Sequence, residues 1–232
     1  MKKHLALTAA LGLALTFTAC EEKEAAKKTT EPATTTQQPS QEAAAEKVIE
    51  VVKSSFTDTR DNKTYKTVKI GTQTWMAENL NYEAKGSKCY DNKPDNCKKY
   101  GRLYDGETAK TACPKGWHLP SVTELSKLLH YVDGTSGTEI VYESETAGKY
   151  LNATSGWNEN GNGTDKFGFS ALPGGTGKSV ISDNFTYAGD CGMWWLDTGS
   201  YLYWAQCWGN EVRYSEEEDG IYFFNSVRCI KD

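Results

Sequence analysis

The sequence predicts an α+β domain, disulfide-stapled and loop-rich, with two short helices followed by short twisted antiparallel strands. Three observations carry this. Helical spacing is confined to the first half of the aromatic-rich region, and short aromatic strand patterns fill the second half. Segregation of that kind indicates α+β rather than alternating α/β. All seven Trp and all thirteen Tyr lie beyond Phe56, so residues 56–232 hold the core material and are long enough for one domain. Six cysteines fall within those residues.

Tyr65–Ile70 alternates, Gly71-Thr72 can turn, and Gln73–Met76 can return, which reads as a hairpin. Residues 81–116 are dense in Gly, Pro, Asn and Asp, and read as a long irregular segment. Such a segment needs a staple, and a Cys89–Cys97 bridge would supply one. Ser121 and Glu124 form a capping box ahead of Val122, Leu125, Leu128, Leu129 and Val132, and Asp133-Gly134 ends that helix. A second helix is expected at 143–152. Strands are expected near 167–172, 192–197, 201–208, 220–224 and 226–231.

The chain opens with Lys2-Lys3 and the apolar run Leu5–Ala19, shorter than the roughly 18–20 residues that span a bilayer. Phe17-Thr18-Ala19-Cys20 follows the pattern of a bacterial lipoprotein signal peptide over 1–19, with Phe17 where Leu is usual. Cys20 then becomes the lipid-bearing first residue; the alternative is an ordinary secretory signal that leaves Cys20 as one more thiol. The expected location is the cell envelope, at the outer membrane, with the membrane as partner through the lipid on Cys20. Glu21-Glu22 resemble the acidic export signals of some surface lipoproteins. Residues 20–55 are polar, free of aromatics, and read as a disordered tether with a reach on the order of 30 Å. Val48, Ile49, Val51 and Val52 give 43–53 enough apolar content for a short helix or strand.

After removal of 1–19 the chain has 24 Lys+Arg against 31 Asp+Glu, a net charge of −7. That argues against nucleic-acid binding, which needs a basic footprint. Lipidation of Cys20 leaves an even six cysteines: Cys89, Cys97, Cys113, Cys191, Cys207 and Cys229. In an exported chain they suit up to three disulfides, with fifteen pairings open. No CxxC occurs, and only His118 and His130 lie beyond the signal, which argues against structural zinc.

Several motifs carry a family resemblance. They are Phe56–Asp61, Ile70-Gly71-Thr72-Gln73-Thr74-Trp75-Met76-Ala77-Glu78-Asn79-Leu80, Cys113-Pro114-Lys115-Gly116-Trp117-His118-Leu119-Pro120, Gly168–Gly175 and Ser226-Val227-Arg228-Cys229. Over residues 56–232 the chain resembles the Fibrobacter succinogenes major paralogous domain family. The resemblance implies a lipoprotein or secreted setting. It also implies a fold similar to the C-type lectin-like superfamily, which contains the formylglycine-generating enzymes. By that analogy Cys113 pairs with Cys229, and Cys191 with Cys207.

The calcium-dependent lectin signatures Glu-Pro-Asn and Gln-Pro-Asp are absent. Asn158, Asn160, Asn162 and Asp165 superficially suit a calcium loop, but Phe169 stands where an EF-hand needs Glu, and a turn is the competing reading. Glu216–Asp219 reads as a solvated hairpin tip. His118 reads as a structural hydrogen-bonder. No phosphate loop, HExxH or Ser/His/Asp order occurs, and no cofactor is implied. Trp194, Trp195, Tyr201, Tyr203, Trp204 and Trp208 form the candidate ligand surface for carbohydrate or an envelope protein; packing of all of them in the core is the alternative. The expected function is a lipid-anchored, non-enzymatic binding module. The alternatives are a structural or protein-interaction role, or a formylglycine-generating type of enzyme needing a free thiol pair such as Cys191 and Cys207.

Overall fold

The computed structural model describes residues 51–179, 183–198, 202–207, 209–216 and 222–232, all within the unit Lys47–Asp232. The signal segment, Cys20, the tether up to residue 50, Tyr201, Trp208 and Glu217–Asp219 lie outside the described residues.

The domain enters through β1 (Val52–Asp58), paired antiparallel along its length with β2 (Lys63–Ile70). β1 therefore begins at Val52, inside the span 20–55 expected to form a tether. Val52–Ser55 are exposed and largely polar, so composition does not reveal the start of this strand. β2 and β3 (Gln73–Met76) make the expected hairpin, with Gly71 at a φ of 58°. Residues 81–116 are more regular than their turn formers suggest. They contain α1 (Pro94–Tyr100), β4 (Leu103–Asp105) and α2 (Gly106–Ala109). The Cys89–Cys97 disulfide ties the turn before α1 to α1 itself.

β5 (Trp117–His118) leads into α3 (Val122–Asp133). The capping box is formed: Glu124 N–H donates to Ser121 Oγ at 3.2 Å, and Ser121 N–H to Glu124 Oε2 at 2.9 Å. Leu125, Leu128, Leu129 and Val132 are buried, as their spacing predicts. β6 (Glu143–Ser144) and α4 (Ala147–Leu151) replace the longer second helix expected over 143–152. Gly148 lies against the backbone of Asn210 and donates to its carbonyl at 2.8 Å.

The strand-rich half comprises β7 (Gly174–Ser179), β8 (Asp183–Ala188), β9 (Cys191–Trp195), β10 (Leu202–Cys207), β11 (Val212–Glu216), β12 (Phe223–Ser226) and β13 (Ile230–Lys231). The strand expected at 167–172 is absent. Asp165 turns the chain by accepting from Ser170 N–H at 2.7 Å, and Ser170 takes a φ of 54°. One sheet runs β1-β2-β3-β13-β5, and the other runs β4-β12-β7-β9-β10-β11-β6, with β8 also paired to β7. Strands thus stand on both sides of α3, and the expected order of two helices and then strands is corrected. The last strand completes the first sheet between β3 and β5.

The second sheet is buried on both faces in its centre. Trp194 and Trp204 join Trp75, Phe169 and the α3 leucines in one cluster. Trp195 and Tyr203, on the opposite face, join Met76, Leu80, Tyr104 and Cys229 in another. Adjacent residues on a strand point to opposite faces, and here each face has its own core. Both indoles are satisfied: Trp194 Nε1 donates to Asn79 Oδ1 at 2.8 Å and Trp195 Nε1 to the Tyr104 carbonyl at 2.7 Å.

Asn79 and Arg228 lock the first strands to the last. Arg228 is 1% exposed. Its Nε and Nη2 donate to Asn79 Oδ1 at 3.2 and 2.8 Å, and the guanidinium also donates to the carbonyls of Phe169 and Ser170. Its guanidinium carbon lies 4.4 Å from the Phe169 ring centre and 5.8 Å from that of Trp194. Burial lowers the Arg228 pKa to about 9, so the group stays charged at neutral pH. Asn79 Nδ2 donates to the Tyr100 carbonyl at 2.8 Å and to Ser226 Oγ at 3.3 Å. The Cys113–Cys229 disulfide, spanning 116 residues, closes the same junction.

Candidate functional site

The tryptophans proposed from sequence as a ligand platform are interior. Trp194, Trp195, Trp204 and Tyr203 are all buried, and Trp194 stacks on Trp204 with centroids 4.2 Å apart. A stacking surface made of these four is therefore corrected: they fill the two cores. Tyr201 and Trp208 lie outside the described residues.

The Asn158–Asp165 side chains serve turns. Asn162 Oδ1 accepts from Trp157 N–H at 3.0 Å, and Asn158 Nδ2 donates to Asp190 Oδ1 at 3.1 Å. Asp165 accepts from Ser170, and Asn160 adopts a φ of 67°. The three disulfides are Cys89–Cys97, Cys113–Cys229 and Cys191–Cys207. The thiol pair that the enzyme reading needs is joined in this structure.

His118 bridges two carboxylates, with Nδ1 at 2.7 Å from Asp232 Oδ1 and Nε2 at 2.9 Å from Glu124 Oε1. Partial burial works against its charge, but the hydrogen bonds to Asp232 and Glu124 outweigh that and raise its pKa. It clamps the N-terminus of α3 to the end of β13. His130 bonds Thr135 Oγ1 at 2.8 Å and the Glu139 carbonyl at 3.2 Å.

A groove lies along the edge of the second core, on the sheet face that carries Met193, Tyr203 and Ala205. It has two adjoining lobes that share Tyr187, Met193 and Tyr203. One lobe, about 310 Å³, is lined by Thr176, Lys178, Asn184, Thr186, Phe223 and Asn225 besides the shared residues. The other, about 330 Å³, is lined by Cys191, Ala205, Cys207, Arg213 and Tyr214 besides the shared residues. No carboxylate lines either lobe among the described residues.

Two features of this groove are unusual. Asn225 is 1% exposed; its Oδ1 accepts from Thr176 Oγ1 at 2.7 Å, while its Nδ2 has no hydrogen-bond partner. Stranding a buried donor costs roughly 1–3 kcal/mol. Tyr187 is 46% exposed and held at a φ of 68°. A bulky residue in that region carries strain on the order of 1–3 kcal/mol, and such strain clusters at ligand sites. Gly175 makes the close packing opposite Tyr187 possible: a Cβ there would meet the Thr186 carbonyl oxygen at 2.5 Å. Lys178 Nζ sits 4.5 Å from the Phe223 ring centre, and Arg213 pairs with Glu211 at 3.3 Å.

Sequence reasoning missed this site because β7 reads Gly-Gly-Thr-Gly-Lys-Ser, a poor strand composition. Of the residues expected from sequence at the ligand surface, Tyr203 lines both lobes of the groove.

Fold and groove together define a disulfide-stapled α+β domain with a ligand-sized cleft on one sheet. The chain belongs to the Fibrobacter succinogenes major domain family, whose model matches residues 68–231. No curated protein and no solved structure matches the chain. The family motifs build the frame: Trp75, Met76, Asn79, Leu80, Phe169, Arg228 and Cys229 are buried. The groove draws most of its lining from between those motifs.

Proposed function

We propose that the protein is a non-enzymatic binding module of the cell envelope, exported behind residues 1–19, held by lipid on Cys20, and carrying a C-type lectin-like domain whose groove seats carbohydrate. The observation that carries the ligand reading is Asn225: a buried amide donor without a partner, in a cleft that also offers hydroxyl, amide and aromatic groups. Sugars present acceptor oxygens for such donors and C–H faces for rings such as Tyr187. The lectin-like fold is supported by the long Cys113–Cys229 bond to the end of the domain and by the return of β13 between β3 and β5. Among the described residues no helix is long and apolar enough to cross a membrane.

The test is a glycan array and pull-down on insoluble polysaccharide with the disulfide-bonded protein and its Tyr187→Gly variant. Glycine accepts a φ of 68° without strain, so the variant should fold at least as well as the parent while losing the ring. Retention of the parent on a polysaccharide, reduced at least about ten-fold in the variant, is the expected result. Absence of retention, or equal retention, overturns the reading. A protein-interaction role is the second reading, favoured by the burial of Trp194, Trp195 and Trp204. It gains if no saccharide is retained.

A further inference from the structure

We infer that the groove takes a saccharide bearing an aryl substituent, with the sugar in the Asn225 lobe and the aryl ring in the lobe over Ala205 and the Cys191–Cys207 disulfide. This rests on the carbohydrate reading above and specifies its ligand.

The two lobes differ in chemistry. The Asn225 lobe offers Thr176, Lys178, Asn184, Thr186 and the unpaired Asn225 amide. The floor of the other is set by strand register: Met193 lies opposite Ala205, and Cys191 opposite Cys207. Thioether, methyl and disulfide present no strong hydrogen-bonding group. Sugar hydroxyls set against that floor would give up water without a replacement, while Arg213, Tyr187, Tyr203 and Tyr214 line the rest of the lobe. A lobe of about 330 Å³ is also far larger than a methyl or acetyl group would fill. A flat aryl group fits both the size and the chemistry, because methionine sulfur and tyrosine rings favour aromatic contacts. Arg213, across β10 from Met193 and paired with Ala205, adds a guanidinium that can stack on such a ring. Tyr187 lines both lobes, so it stands where the sugar joins its substituent. Its strained backbone places an exposed ring at that junction.

The experiment is an NMR titration of the disulfide-bonded protein with matched methyl and phenyl β-glycosides of glucose, galactose, mannose and xylose. The Ala205 methyl and the Asn225 side-chain amide are the reporters; Ala205 lines only the one lobe and Asn225 only the other. For at least one sugar, the phenyl glycoside should bind at least about ten-fold tighter than the methyl glycoside, as burial of an aryl ring predicts. It should shift both reporters, while the methyl glycoside shifts Asn225 alone. Ala205→Trp, filling the apolar floor, should erase the preference; if it melts early, Ala205→Leu is read instead. Equal affinities with Asn225 shifted and Ala205 still overturn the aryl inference and leave the carbohydrate reading standing. A phenyl preference that leaves the Ala205 methyl unmoved, or that survives both Ala205 variants, also overturns the aryl inference. No binding in either series, with both reporters still, removes the carbohydrate reading and this inference with it.

Discussion

Replacing Asn79 with Ala should remove most of the stability of the domain, although Asn79 touches no proposed ligand. Its Oδ1 accepts from Trp194 Nε1 at 2.8 Å and from Arg228 Nε and Nη2 at 3.2 and 2.8 Å. Truncation strands three buried donors, two of them on a cation. A stranded buried donor costs roughly 1–3 kcal/mol, and more where it belongs to a charged group. Because the donors share one acceptor these figures overlap, and a loss of about 4–5 kcal/mol is expected. Domains of this kind hold roughly 5–15 kcal/mol, so the variant should be marginal. Asn79→Asp keeps the acceptor and gives Arg228 a counter-ion, at the loss of the donated bonds to the Tyr100 carbonyl and Ser226 Oγ. It should lose less than the alanine variant. Urea denaturation followed by tryptophan fluorescence, without reductant, measures both. A loss below about 1 kcal/mol for Asn79→Ala, or a greater loss for Asn79→Asp, refutes the locking role.

Other outcomes follow from the same structure. Chain-entropy reasoning gives the disulfides unequal weights: serine in place of Cys113 and Cys229, which enclose 116 residues, should lose about 5 kcal/mol, against about 2.5 kcal/mol for Cys89 and Cys97, which enclose 8. Denaturation midpoints of the two double variants check the order. The raised pKa of His118 means its contribution is complete below about pH 6.5, the unfolded value, and is lost as pH rises through the higher folded value. His118→Gln should flatten that alkaline decline in thermal melts, and an unchanged slope contradicts the carboxylate clamp. Mass spectrometry of the membrane fraction should find a diacylglyceryl group on an N-terminal Cys20, and Cys20→Ala should release the protein; an unmodified mature N-terminus contradicts the anchor.

Local chemistry made the frame legible. Ser121 and Glu124 announce the start of α3 and Gly134 its end, because caps act within one turn. The hairpin at Gly71 is legible for the same reason. What escaped depends on distant partners. The first half of β1 has exposed, largely polar side chains, and its place is set by the ladder with β2 and by Phe56 stacked on Tyr65 and Trp117. β7 is glycine-rich because Phe185 and the backbone beside Tyr187 press on it, and that pressure is invisible along the chain. The strand predicted at 167–172 failed because the Phe169 and Ser170 carbonyls serve Arg228, some sixty residues away. The aromatic pattern at Trp194 and Trp195 fixes opposite faces but not whether both are covered. Two cores cover them, so the candidate surface moved to the groove.

The central claim is that ligand sits in the groove beside Asn225 and not on the late tryptophans. Titrating the ¹⁵N-labelled protein with the oligosaccharide selected on the array tests it most directly. The Asn225 side-chain amide and the Tyr187 backbone amide should shift, with the indole N–H signals of Trp194, Trp195 and Trp204 unmoved. Shifts at those indoles with Asn225 and Tyr187 still would contradict it.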